Sequence, residues 1–131
     1  EVYQRISSQL NSYFGQMFER LIFELVKAKE IPLPIPFTEV RRWWYKDKEI
    51  DMIALDHERK QAIFAECKWQ NNLDAEEVIE NLKEKSKFVK WNNMERREYF
   101  AIFAKSFRRK VDAPNIILFD LKLLEKNLKR L

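Results

Sequence analysis

The segment Ala62-Ile-Phe-Ala-Glu66-Cys-Lys68-Trp-Gln70 constrains this chain more than any other. It is apolar almost throughout and follows a polar turn sequence, Asp56-His57-Glu58-Arg59-Lys60. Such a run reads as a central, largely buried strand, because a strand with one wet face alternates apolar and polar residues. Glu66 and Lys68 interrupt it. Burying an ionised group unpaired is costly, so each of these charges requires a partner or a metal ion.

Side chains alternate along a strand, so Glu66, Lys68 and Gln70 share one face, with Ala65, Cys67 and Trp69 on the other. Residues two apart lie about 6.6 Å from one another, within reach of one small site. The preceding apolar segment, Glu49-Ile-Asp51-Met-Ile-Ala-Leu-Asp56, is a natural hairpin partner that would bring Asp51 beside Glu66. Two carboxylates this close repel unless a divalent cation neutralises them. Oxygen donors of this kind favour Mg²⁺ or Mn²⁺. A cation held there would polarise a phosphate oxygen and acidify a water, while Lys68 orients that water and stabilises developing phosphorane charge. Phosphodiester hydrolysis therefore fits the residue types. The plainer reading is a cross-strand salt-bridge cluster on a solvated sheet face; the buried context of the strand and the nearby Asp51 speak against it.

The rest of the chain supplies the surroundings of such a strand. Residues 3–29 carry a helical repeat, with Leu10, Phe14, Met17, Phe18, Leu21, Ile22, Leu25 and Val26 on one broad face. Glu19 falls just beyond one edge of that face, and Gly15, one turn earlier, would let the helix approach a sheet closely. The proline-rich Ile31-Pro32-Leu33-Pro34-Ile35-Pro36 is a stiff extended connector whose apolar residues should pack. Strands are predicted over about 37–46, 49–56 and 61–69, then a helix over 73–90 with Asp74 as N-cap. A strand at 98–104, a basic link of helical potential at 105–112, a strand at 115–120 and a Leu/Lys-rich helix at 121–130 follow. With a single glycine in the chain, the turns must use Asp, Asn and Lys. His57 reads as a turn residue rather than a ligand. Trp91 should cap the core beneath the second helix. Leu121, Leu123, Leu124, Leu128 and Leu131 form a face suited to packing or to a homo-oligomer.

A chain of 131 residues with 46% hydrophobic content suits one domain over 1–131. Its single cysteine, Cys67, cannot form an intrachain disulfide, and no apolar run approaches the roughly 18 residues that span a bilayer, so a soluble cytoplasmic protein is expected. The chain opens on Glu1 directly into a helical pattern, as a fragment of a longer chain would. Net charge is +4. Basic clusters at Arg41-Arg42, along 83–90, at Arg96-Arg97 and at Lys105 with Arg108 and Arg109 are candidates for phosphate contact, the alternative being ordinary solvated charge. Trp43-Trp44-Tyr45, beside Arg41 and Arg42, could stack bases, but reads better as a strand packing one ring inward and one against a neighbouring domain.

An α-β-β-β-α-β order with an acidic residue on the first helix, Asp on the second strand and Glu-x-Lys on the third resembles the PD-(D/E)xK nuclease superfamily. Gly15-Gln-Met-Phe-Glu19, Glu49-Ile-Asp51 and Glu66-Cys-Lys68-Trp69 look especially like a domain at the C-terminus of archaeal AAA-type ATPases. The likeness covers roughly residues 10–105; its motifs are short, and their order and spacing carry it. It implies a restriction endonuclease-like α/β fold, a mixed sheet flanked by helices in the order α-β-β-β-α-β-(α)-β-α. It also implies Asp51 and Glu66 as ligands of Mg²⁺ or Mn²⁺, with the Cys67 backbone carbonyl as a further ligand. Lys68 would be the catalytic lysine, Glu19 the helix-borne acid, and Gln70 a group positioning water or phosphate. Ile50 precedes Asp51 where the motif's name has proline, as in many members. The implied activity is metal-dependent hydrolysis of DNA, in a chain attached to an ATPase. A catalytically silent module docking DNA or protein for that ATPase, and an oligomerisation domain, are the alternatives.

Overall fold

A computed structural model describes residues 1–128. The elements run α1 (Val2–Lys27), β1 (Glu39–Tyr45), β2 (Lys48–Asp56), β3 (Gln61–Lys68), α2 (Ala75–Ser86), β4 (Arg97–Ala104), β5 (Ile116–Phe119) and α3 (Leu121–Leu128). The strands form one mixed sheet in the order β1-β2-β3-β4-β5. β1, β2 and β3 are antiparallel neighbours; β3, β4 and β5 run parallel, with α2 in the crossover from β3 to β4. This is the expected mixed α/β architecture, a five-stranded sheet flanked by three helices.

β3 lies at the centre, and its apolar run has the expected physical cause. Ile63 and Ala65 face Phe18, Ile22 and Val26 of α1 and Leu124 of α3. Ala62 and Phe64 face Ile79 and Leu82 of α2, together with Val89 beyond it. Both faces of the sheet are covered, so neither set of alternate positions can be polar. Burying one such Phe or Ile contributes roughly 1.5–3 kcal/mol, so these two layers hold the strand ends that carry Asp51 and Glu66 in place. The proline-rich connector packs as expected: Ile31, Ile35 and Phe37 are buried in the α1-side core.

Several expectations are corrected. The basic stretch 105–112 is not helical; Leu73 and Phe107 form a β-bridge, Leu73 N–H donates to Ser106 O at 3.0 Å and Arg108 N–H to Leu73 O at 2.9 Å. These bonds occupy backbone groups that a helix would need for itself. α2 ends at Ser86 rather than near 90, and Asp74 stands at its N-cap position without a side-chain capping bond. On α1 only Phe18, Ile22 and Val26 are buried, whereas Leu10, Phe14, Met17 and Leu21 stay about half exposed. Of the C-terminal leucines, Leu124 enters the core while Leu121 and Leu123 are exposed; Leu131 lies outside the described residues.

The turns bear out the consequence of glycine scarcity. Lys29, Lys46, Lys60, Asn72 and Asn92 take left-handed conformations with φ of 61°, 55°, 54°, 55° and 42°, positions where glycine would meet no steric penalty.

Candidate active site

The site begins with an irregularity in β2. Arg41 pairs with Ile53 and Trp43 with Ile50, so one residue of β1, Arg42, stands against two of β2, Asp51 and Met52. This is a β-bulge, and it breaks the alternation of faces. Ile53 and Leu55 belong to the α2-side core and Met52 and Ala54 to the α1-side core, yet Ile50 joins the α2 side. Asp51 sits at the break, released from the strict face assignment of its neighbours.

β2 and β3 part at the same place. Their last ladder pair is Met52 with Ala65, one step before Asp51 would meet Glu66. Beyond it, Asp51 Oδ2 accepts the Cys67 backbone N–H at 2.8 Å. The side chain takes a donor that a β2 carbonyl would otherwise have used, which keeps that N–H satisfied while the strands diverge. The Asp51 and Glu66 carboxyl groups are thereby brought within hydrogen-bonding reach of each other.

Helices close the gap from both sides of the sheet. From α1, Glu19 turns toward Asp51 and is ion-paired with Arg42 at 3.8 Å. From α2, Lys85 Nζ bonds to the Glu66 carboxylate and donates to the Glu49 carbonyl at 2.8 Å. Glu66 is almost fully buried. Burial, then the hydrogen bond and charge of Asp51, push its carboxyl up to about 8, with Lys85 pulling the other way. Glu19 is likewise raised, by burial first and then by Asp51, against Arg42. Burial also holds the Cys67 thiol well above its ordinary value, and the fields of Asp51, Glu19 and Glu66 add to this. One thiol thus registers the converging negative field of three side chains from α1, β2 and β3.

These groups line an open cleft of about 840 Å³. Lys68 lines it too, and its ammonium makes no hydrogen bond or ion pair among the described residues. Gln70 lies just past the end of β3, where its N–H donates to Lys68 O at 2.8 Å; its exposed side chain lines the same cleft. Gly15 is also in the cleft wall, but a Cβ there would meet Trp69 Cβ at 3.9 Å, an ordinary contact, so close approach does not require a glycine.

Among the described residues no group of three or more His, Cys, Asp or Glu side chains is gathered to hold a metal ion. The donor set is the pair Asp51 and Glu66. That pair does not suit zinc, which takes three or four protein ligands. It does suit Mg²⁺, which retains several waters and binds through one or two carboxylates.

The basic candidates separate. Arg42, through Glu19, and Arg108, which lines an adjoining polar cleft with Glu66 and Lys68, flank the site. Arg41 pairs with Glu39 at 3.4 Å on the edge strand. Lys105 and Arg109 line a different groove beside α3, with Lys105 Nζ 4.3 Å from the centre of the Trp69 ring. Arg96 is no phosphate ligand: its buried guanidinium donates to the carbonyls of Ser86, Val89 and Trp91 and to Glu98. Trp43 packs partly into the α2-side core while Trp44 is exposed. His57 is a turn residue that bridges Glu39 at 2.6 Å and the Trp91 indole N–H at 3.3 Å.

Lys85 is the site residue that sequence reasoning did not single out, naming it only within the basic stretch 83–90. Its signal was present: it follows Val78 by seven residues and Leu82 by three, on the face of α2 that packs inward. A lysine there must find a carboxylate.

A curated relative is an uncharacterized protein of Methanocaldococcus jannaschii, 34% identical over 125 residues, covering 91% of this chain and 27% of the relative. The chain thus spans about a quarter of the length of that relative. No solved structure matches. The family model for DUF234, described as archaea bacterial proteins of unknown function, matches residues 1–102. The chain belongs to the DUF234 family.

Proposed function

We propose that this domain hydrolyses DNA phosphodiester bonds with a divalent cation, in the manner of the PD-(D/E)xK nucleases it resembles. The observation that carries this reading is the meeting of Asp51 and Glu66 at a bulge, in an open cleft, beside an unpaired Lys68. Asp51 and Glu66 would hold Mg²⁺ or Mn²⁺, with the Cys67 carbonyl as a further oxygen donor. The cation would supply Lewis-acid polarisation of the scissile phosphate and acidification of a water.

The chain's own residues do the remaining work. Lys68, free of any carboxylate partner, orients the attacking water and stabilises the charge that builds on the phosphorane oxygens. Gln70, at the mouth of the cleft, positions water or phosphate. Glu19 strengthens the negative field at Asp51. Arg42 and Arg108 would meet phosphates flanking the scissile one, and Arg41, Lys105 and Arg109 would extend contact along the backbone. The portion of a full-length protein outside this domain is proposed to be an ATPase.

A second reading, a silent docking module, draws on the half-exposed stripe of Leu10, Phe14, Met17 and Leu21 on α1. Incubation with supercoiled and branched DNA separates the two. Cleavage that needs Mg²⁺ or Mn²⁺, stops with chelator and falls at least about 100-fold in Asp51→Ala and Lys68→Ala is the expected result. DNA binding with no cleavage at any metal concentration would favour docking.

A further inference from the structure

Lys85 occupies a distinctive position in the cleft. Its side chain is only 19% exposed, its ammonium bonds to the Glu66 carboxylate, and it also donates to the Glu49 carbonyl at 2.8 Å. Glu49 lies two residues before Asp51, so one ammonium ties α2 to both strands that form the site. A group so held is not a solvated surface lysine.

We propose that Lys85 is the resident counter-ion of the carboxylate pair, that a divalent cation gains Glu66 only by displacing it, and that the displaced ammonium then serves phosphate entering the cleft. The inference rests on the reading of Asp51 and Glu66 as the metal-binding pair. Both the ammonium and the cation need the same Glu66 oxygens, and two like charges that close would repel by a margin that survives an effective dielectric of about 20. The metal therefore binds weakly in the absence of DNA. An anionic phosphate in the cleft gives Lys85 a new partner, so metal and phosphate each raise the affinity of the other. Lys68, by contrast, has no carboxylate to leave, and so its role in the chemistry does not depend on this exchange. Lys85 is a positioning residue that sets when the cation loads.

Mn²⁺ titration by calorimetry of the purified protein, without DNA, tests the exchange. Lys85→Met is expected to bind Mn²⁺ at least about tenfold more tightly than wild type, and Lys85→Arg, which keeps the charge, to stay within about threefold of it. Asp51→Asn serves as the control for the pair itself. Equal or weaker binding by Lys85→Met, with binding still lost in Asp51→Asn, overturns the counter-ion and leaves the metal-binding pair standing. No binding in wild type or Lys85→Met overturns both. Should Lys85→Met fail to fold, the wild-type protein decides the matter by reductive methylation of its lysines read by mass spectrometry. Lys85 is expected to be protected without metal and to become reactive with saturating Mg²⁺, while exposed Lys87 is unchanged; protection that persists with Mg²⁺ overturns the proposal.

Discussion

At the scale of single residues, two buried charges do opposite jobs. Arg96 is fully satisfied, its guanidinium bonded to three carbonyls and to Glu98, and its Cζ lies 5.0 Å from the Phe64 ring centre. It pins the segment after α2 to the sheet. Arg96→Met leaves those carbonyls unsatisfied and is expected to destabilise the fold by about 3 kcal/mol in urea unfolding, without changing metal affinity. Glu66 is the contrary case, a buried carboxyl raised from 4.5 to about 8. Its folded-state value lies above its unfolded one, so its proton stabilises the fold fully below about 4.5, and that contribution is lost as pH rises through about 8. A cation competes with that proton. Divalent-metal affinity is therefore expected to rise between pH 6 and 8, with proton release on binding that calorimetry in buffers of different ionisation enthalpy would detect. A flat affinity across that range would contradict the raised Glu66 carboxyl. Sequence already marked Glu66 as a buried charge beside Asp51, but could not sort Arg96, because Arg96-Arg97 shows charge there without showing its partners.

At the scale of elements, local pattern and long-range pairing divide the information. The strands announced themselves because alternation and continuous apolar runs are local properties, and β3 in particular could only be central. The bulge at Asp51 could not be read, since a bulge is a relation between β1 and β2 and leaves no mark in either alone. The helical potential read in the link 105–112 is not realised for a related reason: its backbone is engaged by Leu73, more than thirty positions away. α1 gave a correct helix and an over-broad buried face. Periodicity reports amphipathicity, and says nothing about whether a partner for the face lies within the same chain. Gly15 is a second lesson on that helix. A Cβ at Gly15 has room, so Gly15→Ala is expected to raise stability by about 0.5–1 kcal/mol, through lower chain entropy in the unfolded state, as measured by thermal unfolding. A loss of more than about 1 kcal/mol would mean that the helix sits closer to Trp69 than described.

At the scale of the whole molecule, the fold is two helical layers closing a mixed sheet, and the site lies where that closure is incomplete. β2 and β3 diverge beyond Met52 and Ala65, α1 presents Glu19 from one layer, and α2 presents Lys85 from the other. Catalytic candidates from sequence, Asp51, Glu66 and Lys68, all lie on the two strands whose pairing was legible. From the layers above and below them, Glu19 was named from sequence and Lys85 was not. Among the described residues no helix is long and apolar enough to cross a membrane. The central claim is that Asp51 and Glu66 share one divalent cation. Anomalous diffraction from crystals grown with Mn²⁺ tests it most directly. The account predicts a single strong peak beside the Asp51 and Glu66 carboxylates, with the Lys85 ammonium withdrawn from Glu66. Ordered crystals at millimolar Mn²⁺ with no peak there, and Lys85 still bonded to Glu66, would contradict it.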